Sequence, residues 1–229
     1  MESSADRAAS QHTNHQLTKA EVFDVLVGEI LTLKLRPGEA LPERQLAERF
    51  GLSRTPIREI LRRLQSQRLV HIRANHGAFV QQLTPDNARE LFQLREVLEP
   101  LAAGLAAEFR PDEAVAALWA KFAEDEATQA LGPEQLVDLG RELHDSIALW
   151  SRNQLYVDIY RALKQQTQWV RAMTRTSLEI EAVSFREHRE IARAVLEGQP
   201  DLARYAMAYH LARSQRAVLT RLQPHDRGE

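Results

Sequence analysis

The chain has 229 residues, 44% hydrophobic and 27% charged, with a formal net charge of -2, enough apolar material for one large or two modest globular domains. It contains no cysteine, which excludes a disulfide framework, a cysteine-bound zinc and thiol catalysis. No apolar run reaches the roughly 18 residues of a membrane span, and "MESSADRAASQHTNHQ" lacks the basic start and apolar stretch of a signal peptide, so a cytoplasmic protein with no membrane partner is expected.

Residues 1–16 are polar and small and read as a disordered tail. Beyond them the charge is uneven: residues 17–83 carry 11 Lys/Arg against 7 Asp/Glu, and residues 84–229 carry 18 against 23. A basic segment joined to an acidic one predicts two domains with different partners.

Residues 18–35 place Val22, Val25, Leu26, Ile30 and Leu33 at helical spacing, and Pro37–Gly38 ends that helix. "PERQLAERF" follows as a short second helix, with Pro42 in its first turn and Gly51 just past its end. "FGLSRTPIREILRRL" predicts a third, capped by Ser53 or Thr55 with Pro56 in the first turn. Ile57, Ile60, Leu61 and Leu64 share one face, and Arg54, Arg58 and Arg62 recur every fourth residue beside it. "LVHIRANHGAFVQQL" reads as strand, tight turn and strand.

Three helices and a β-hairpin make a winged helix-turn-helix, whose second motif helix enters the major groove of double-stranded DNA. An arginine stripe elsewhere would read as a solvated face; this one starts at the N-terminal end of the recognition helix, beside a turn and before a wing. Arg54 and Arg58 are expected at base edges or phosphates, Arg44 at the DNA backbone, and Arg62 at a phosphate or the surface.

"LPERQLAERFGLSRTPIREILRRLQSQRLVHIRANHGAFV" resembles the DNA-binding domain of the GntR family of bacterial transcription regulators, through its "ERQLAE" helix, "GLSRTPIRE" and a wing ending in "GAFV". The resemblance implies Arg44, Arg54 and Arg58 as the main DNA contacts, assisted by Ser53, Thr55 and the wing tip at Gly77. Many relatives carry glycine where this chain has Arg68, just before the wing.

Residues 84–229 contain no convincing strand, and Pro and Gly divide them into about six helices, near 84–109, 111–131, 133–151, 153–177, 179–198 and 200–222. Leu91, Leu94, Leu98, Leu101 and Leu105 are expected along one face of the first. The fold class is therefore mainly α, a winged helix-turn-helix over 17–83 and an all-α bundle over 84–229, with ligand sites between facing helices.

Three bundle histidines fall on inward faces: His144 with Val137, Ile147 and Ala148; His188 with Phe185, Ile191, Ala192 and Val195; His210 with Ala203, Ala206, Met207 and Ala217. Each buried imidazole needs a partner, and a shared transition metal satisfies all three. Trp150, Trp169, Arg171 and Arg175 either line a pocket or simply pack and solvate.

"ELFQLREVLEPLAAGLAA", "ELHDSIALWSRN" and "EHREIARAVLEGQPDLARYAMAYHL" resemble the FCD effector domain of FadR-type GntR regulators, by length the VanR-like group. The resemblance implies a divalent transition metal, zinc or nickel, on His144, His188 and His210, a small carboxylate effector with Arg95 nearby, and a homodimer. Metal-binding members usually carry Asp or Asn one turn before the first histidine; here that residue is Gly140, and Asp138 points about 120° away from His144.

The expected function is a ligand-responsive transcription regulator, most commonly a repressor, that binds a pseudo-palindromic operator as a dimer. One alternative is a DNA-binding protein whose bundle only dimerises. The other is a metal-dependent enzyme, against which stand the outward placement of Glu142 and Glu190 and the lack of an HExxH arrangement.

Overall fold

The structure is a computed structural model that describes residues 17–123, 131–174 and 177–222; the expected N-terminal tail, the end of the second bundle helix beyond 123, and Arg175 lie outside the described residues. The chain forms two compact units, one ending at Gln81 and the other beginning at Gln82.

In the first unit α1 (Lys19–Leu31) begins with a capping box: the Glu21 amide donates to Thr18 Oγ1 at 3.3 Å, and the Thr18 amide donates to the Glu21 carboxylate at 2.7 Å. The helix stops four residues short of the expected end. The Thr32 hydroxyl donates back to the Gly28 carbonyl, and Leu33 turns the chain with φ 59°, so Leu33 lies beyond the helix. Phe23, not Val25, completes the buried face with Val22, Leu26 and Ile30, and the Arg63 guanidinium sits 3.8 Å from the centre of its ring.

Helices α2 (Glu43–Phe50) and α3 (Arg54–Ser66) meet at Gly51, whose φ of 65° makes the left-handed helix end that glycine adopts without a Cβ clash. Ile57, Ile60, Leu61 and Leu64 face the core. The wing is an antiparallel sheet in the order β1 (Ala40–Leu41), β3 (Gly77–Val80), β2 (Val70–Arg73), with Ala40 opposite Phe79 and Val70 opposite Val80. Strand β1 has two residues, too few to show an alternating pattern in sequence. Arg68 has a φ of 56°, a left-handed conformation that a glycine takes more readily.

The second unit contains α4 (Pro85–Phe109), α5 (Asp112–Ala123), α6 (Pro133–Trp150), α7 (Gln154–Thr174), α8 (Leu178–Leu196) and α9 (Pro200–Leu222), with no strand among its described residues. Helix α4 is central, packing on α9, α6, α8 and α7. Its buried face differs from the expected leucine stripe: Leu94 is 55% and Leu101 46% exposed, while Leu91, Phe92, Arg95, Glu99, Ala102, Ala103, Ala106 and Ala107 point inward. Small residues let α9 approach closely, and that close approach sets which side of α4 is buried.

Candidate functional site

In the first unit the side chains expected at DNA share one property: Arg44, Ser53, Arg54, Thr55 and Arg58 are all exposed, as is Gly77 at the wing tip. Ser53 is the N-cap of α3 but makes no side-chain capping bond, which leaves its hydroxyl available. Arg44 lies 3.6 Å from Glu48. Arg58 is engaged, with Nε donating to Glu43 Oε2 at 2.7 Å. Both pairs are solvent-exposed and therefore weak enough to exchange for a phosphate or base.

In the second unit the three inward histidines converge. His144 on α6, His188 on α8 and His210 on α9 each offer a ring nitrogen, all within 4.8 Å of one another. His188 Nε2 lies 3.3 Å from His144 Nε2 and 3.2 Å from His210 Nε2. Nitrogens bound to one tetrahedral zinc stand about 3.3 Å apart, the distance of His188 Nε2 from each of its two neighbours.

Two of the rings are oriented by carboxylates. His144 Nδ1 donates to Glu99 Oε2 at 2.6 Å, and His210 Nδ1 donates to Glu187 Oε2 at 2.8 Å. This network assigns the proton to Nδ1 and the lone pair to Nε2 in both. Each carboxylate is in turn held by an arginine: Arg95 Nε donates to Glu99 Oε1 at 2.5 Å, and Arg213 ion-pairs with Glu187 while donating to Ser184 Oγ at 2.7 Å. Such outer partners fix ligand orientation and basicity in metal sites. The third ring differs, since His188 Nδ1 is buried without a hydrogen-bond partner. One proton on His188 Nε2 would have to be shared between two lone pairs, whereas a cation accepts all three.

The charges agree with this arrangement. Burial, and then the neighbouring imidazoles, hold His188 and His210 well below the usual histidine pKa, so both are neutral. Burial alone would raise Glu99, but Arg95 and His144 outweigh it and keep the carboxyl far below its ordinary range. Tyr156 and Tyr160 are pushed up by burial and by the Glu99 charge, and stay protonated.

The depressed histidines predict a pH dependence. In the unfolded chain each takes a proton near pH 6.5, which the buried rings refuse. With chelator present, the urea midpoint of this unit is expected to fall as pH drops below about 6.5; a flat profile from about pH 7.5 to 5.5 would mean that the rings accept protons in place.

Arg95 is 6% exposed and bound to Glu99, so it enters the site through His144. Trp169 is buried with its Nε1 unpartnered, and Arg171 Nη2 stands 3.8 Å from the buried Glu181. Sequence reading missed Glu99, Glu187 and Arg213. The available signals were the i, i+4 spacing of Arg95 and Glu99 and the adjacency of Glu187 to His188.

Comparison with known proteins agrees with both halves. Residues 18–80 match the model for bacterial regulatory proteins of the gntR family, and residues 90–213 match the FCD domain. The chain is 32% identical to an uncharacterized HTH-type transcriptional regulator in an unstable DNA locus of Streptomyces ambofaciens, over 87% of this chain and 84% of that protein. It is 25% identical to the HTH-type transcriptional repressor RspR of Escherichia coli, over 89% and 90%. The E. coli McbR/YncC structure shares the fold with a TM-score of 0.70 at 21% identity, covering 88% of this chain and 96% of that one. No helix among the described residues is long and apolar enough to cross a membrane. The chain belongs to the GntR family of bacterial regulatory proteins, a DNA-binding transcription regulator and not an enzyme, with the FadR-type architecture of a winged helix-turn-helix followed by an FCD domain.

Proposed function

We infer that the protein is a dimeric repressor whose α3 and wing bind a pseudo-palindromic operator, and whose bundle takes a divalent transition metal, zinc or nickel, together with a small carboxylate effector. The observation that carries this reading is the convergence of three imidazoles, with His188 Nε2 at 3.3 Å from His144 Nε2 and 3.2 Å from His210 Nε2, and with Glu99 and Glu187 fixing two of the rings. A repressor name among the relatives supports the sign of regulation. A bound ion would act as a Lewis acid for an anionic oxygen. The chain's own residues hold and orient that centre: three imidazoles as donors, Arg95 and Arg213 through their carboxylates, and Arg171 as a further cation in the same unit. An effector that favours the DNA-incompetent arrangement lowers operator affinity, and operator DNA lowers effector affinity by the same factor.

A thermal-melt screen tests this reading. Full-length protein is heated with small carboxylic acids plus Zn²⁺ or Ni²⁺, and again after chelation. A ligand that binds only the folded state raises the melting temperature, so a chelator-sensitive rise with one class of acid is expected. No rise with any metal or acid would favour a bundle that only dimerises.

A further inference from the structure

Three arginines act on the buried histidines: Arg171 and Arg213 on His188, and Arg95, Arg171 and Arg213 on His210. Two of them are already committed. Arg95 donates to both oxygens of Glu99, at 2.5 and 3.4 Å, and Arg213 ion-pairs with Glu187 while donating to Ser184. Arg171 differs. Its Nη2 stands 3.8 Å from Oε2 of the buried Glu181, beyond hydrogen-bond reach, so its N–H donors are not spent on that carboxylate. Its side chain is 29% exposed where that of Arg95 is 7%, which leaves an approach for a ligand.

The helix aims Arg171 at the site. Tyr160, Lys164, Thr167 and Arg171 recur every three or four residues on one face of α7. On that face Tyr160 and Lys164 bond to Asp145, the residue after His144. The balance of charge then selects the ligand. Glu99, Glu187 and Glu181 are matched one for one by Arg95, Arg213 and Arg171. Imidazoles bind an ion as neutral rings, so a divalent ion on the histidines brings two positive charges that none of these pairs offsets. His188 and His210 are 1% and 2% exposed, and uncompensated charge at such depth is costly. A monocarboxylate offsets one of the two charges; a dicarboxylate offsets both.

We propose that Arg171 is a specificity-determining residue of the effector site, holding the second carboxylate of a dicarboxylate whose first reaches the ion. The inference rests on the metal and effector reading above and narrows it from small carboxylates to dianions.

The test is a calorimetric titration of matched acids (acetate and malonate, propionate and succinate, butyrate and glutarate) into Ni²⁺-loaded, full-length protein at about pH 7.5, where carboxyls are ionised. In at least one pair the dicarboxylate is expected to bind wild type more tightly than its one-carboxylate counterpart. Arg171→Ala should weaken that dicarboxylate by about 10–100-fold, the worth of hydrogen bonds to a charged group. It should leave the monocarboxylates and the Ni²⁺ affinity of acid-free protein unchanged, which a general loss of structure would not. Arg171→Lys keeps the charge without the planar fork and should fall between the two. Monocarboxylates that bind wild type as tightly as their dicarboxylate counterparts would overturn the proposal. So would unchanged dicarboxylate affinity in Arg171→Ala, or an equal loss for both members of a pair. If Arg171→Ala fails to fold with Glu181 left unpaired, Arg171→Ala combined with Glu181→Gln removes that charge and is held to the same result, as is Arg171→Lys. A wild type that takes up Ni²⁺ but no acid removes the effector reading and this inference with it; one that takes up no Ni²⁺ removes the metal reading. Both are distinct from a failure at Arg171 alone.

Discussion

Replacing Glu99 by alanine is expected to lower the stability of the helical unit by about 3–5 kcal/mol, because it leaves a buried arginine without its counter-ion. Arg95 and Glu99 are 6% and 1% exposed; Glu99 accepts from Arg95 at both oxygens, at 2.5 and 3.4 Å, and from His144 at Oε2. Removing it therefore orphans the buried Arg95 and the partly buried His144 at once. The measurement is urea unfolding followed by tryptophan fluorescence, which reports this unit alone because Trp119, Trp150 and Trp169 all lie in it. A loss below about 1 kcal/mol would indicate that water reaches Arg95 and that the Glu99–His144 bond is not what holds α4 to α6. Glu99→Gln keeps the shape and an acceptor, so it should cost less stability. It should still weaken metal uptake by about tenfold or more, since a neutral amide holds the His144 Nδ1 proton less firmly than a carboxylate does.

The second large effect is expected at α3. Arg58→Ala should weaken operator binding by about 1–3 kcal/mol if Arg58 reads a base edge. If it grips a phosphate, the plot of log affinity against log salt should become shallower by about one unit. An operator selected from a random-sequence pool with the purified protein serves as the probe. Arg58 begins in an exposed ion pair with Glu43 at 2.7 Å, so binding DNA requires that contact to be exchanged. Glu43→Gln should accordingly leave operator affinity equal or slightly higher. Binding and salt dependence that are both unchanged in Arg58→Ala would remove this residue from the contact set.

The winged helix-turn-helix and the six-helix plan follow from patterns that span only a few residues. Ile57, Ile60, Leu61 and Leu64 mark one side of α3, Gly51 marks the turn before it, and "NHG" marks the wing tip, where Asn75 and Gly77 both have positive φ. Periodicity likewise put His188 and His210 inside their helices, where they are 1% and 2% exposed. These features are legible because helix and hairpin geometry repeats over short windows. The same reasoning went astray on α4, where leucine and alanine stripes lie side by side and hydrophobicity favours leucine. Close packing against α9 selects the alanines and turns Leu94 and Leu101 outward.

The sequence by itself determined which side chains are donors, which helices carry them and which face of each helix they occupy. Only the tertiary structure decided that the three imidazoles meet, that Glu99 and Glu187 orient two of them, and that the third packs against Gly140. Glu99 stands 45 residues from His144 and Glu187 stands 23 from His210, separations that no local window spans. The physical reason is that a helix's own hydrogen bonds fix the direction of each side chain about its axis, whereas ångström-scale convergence of ring atoms depends on how several distant helices pack together.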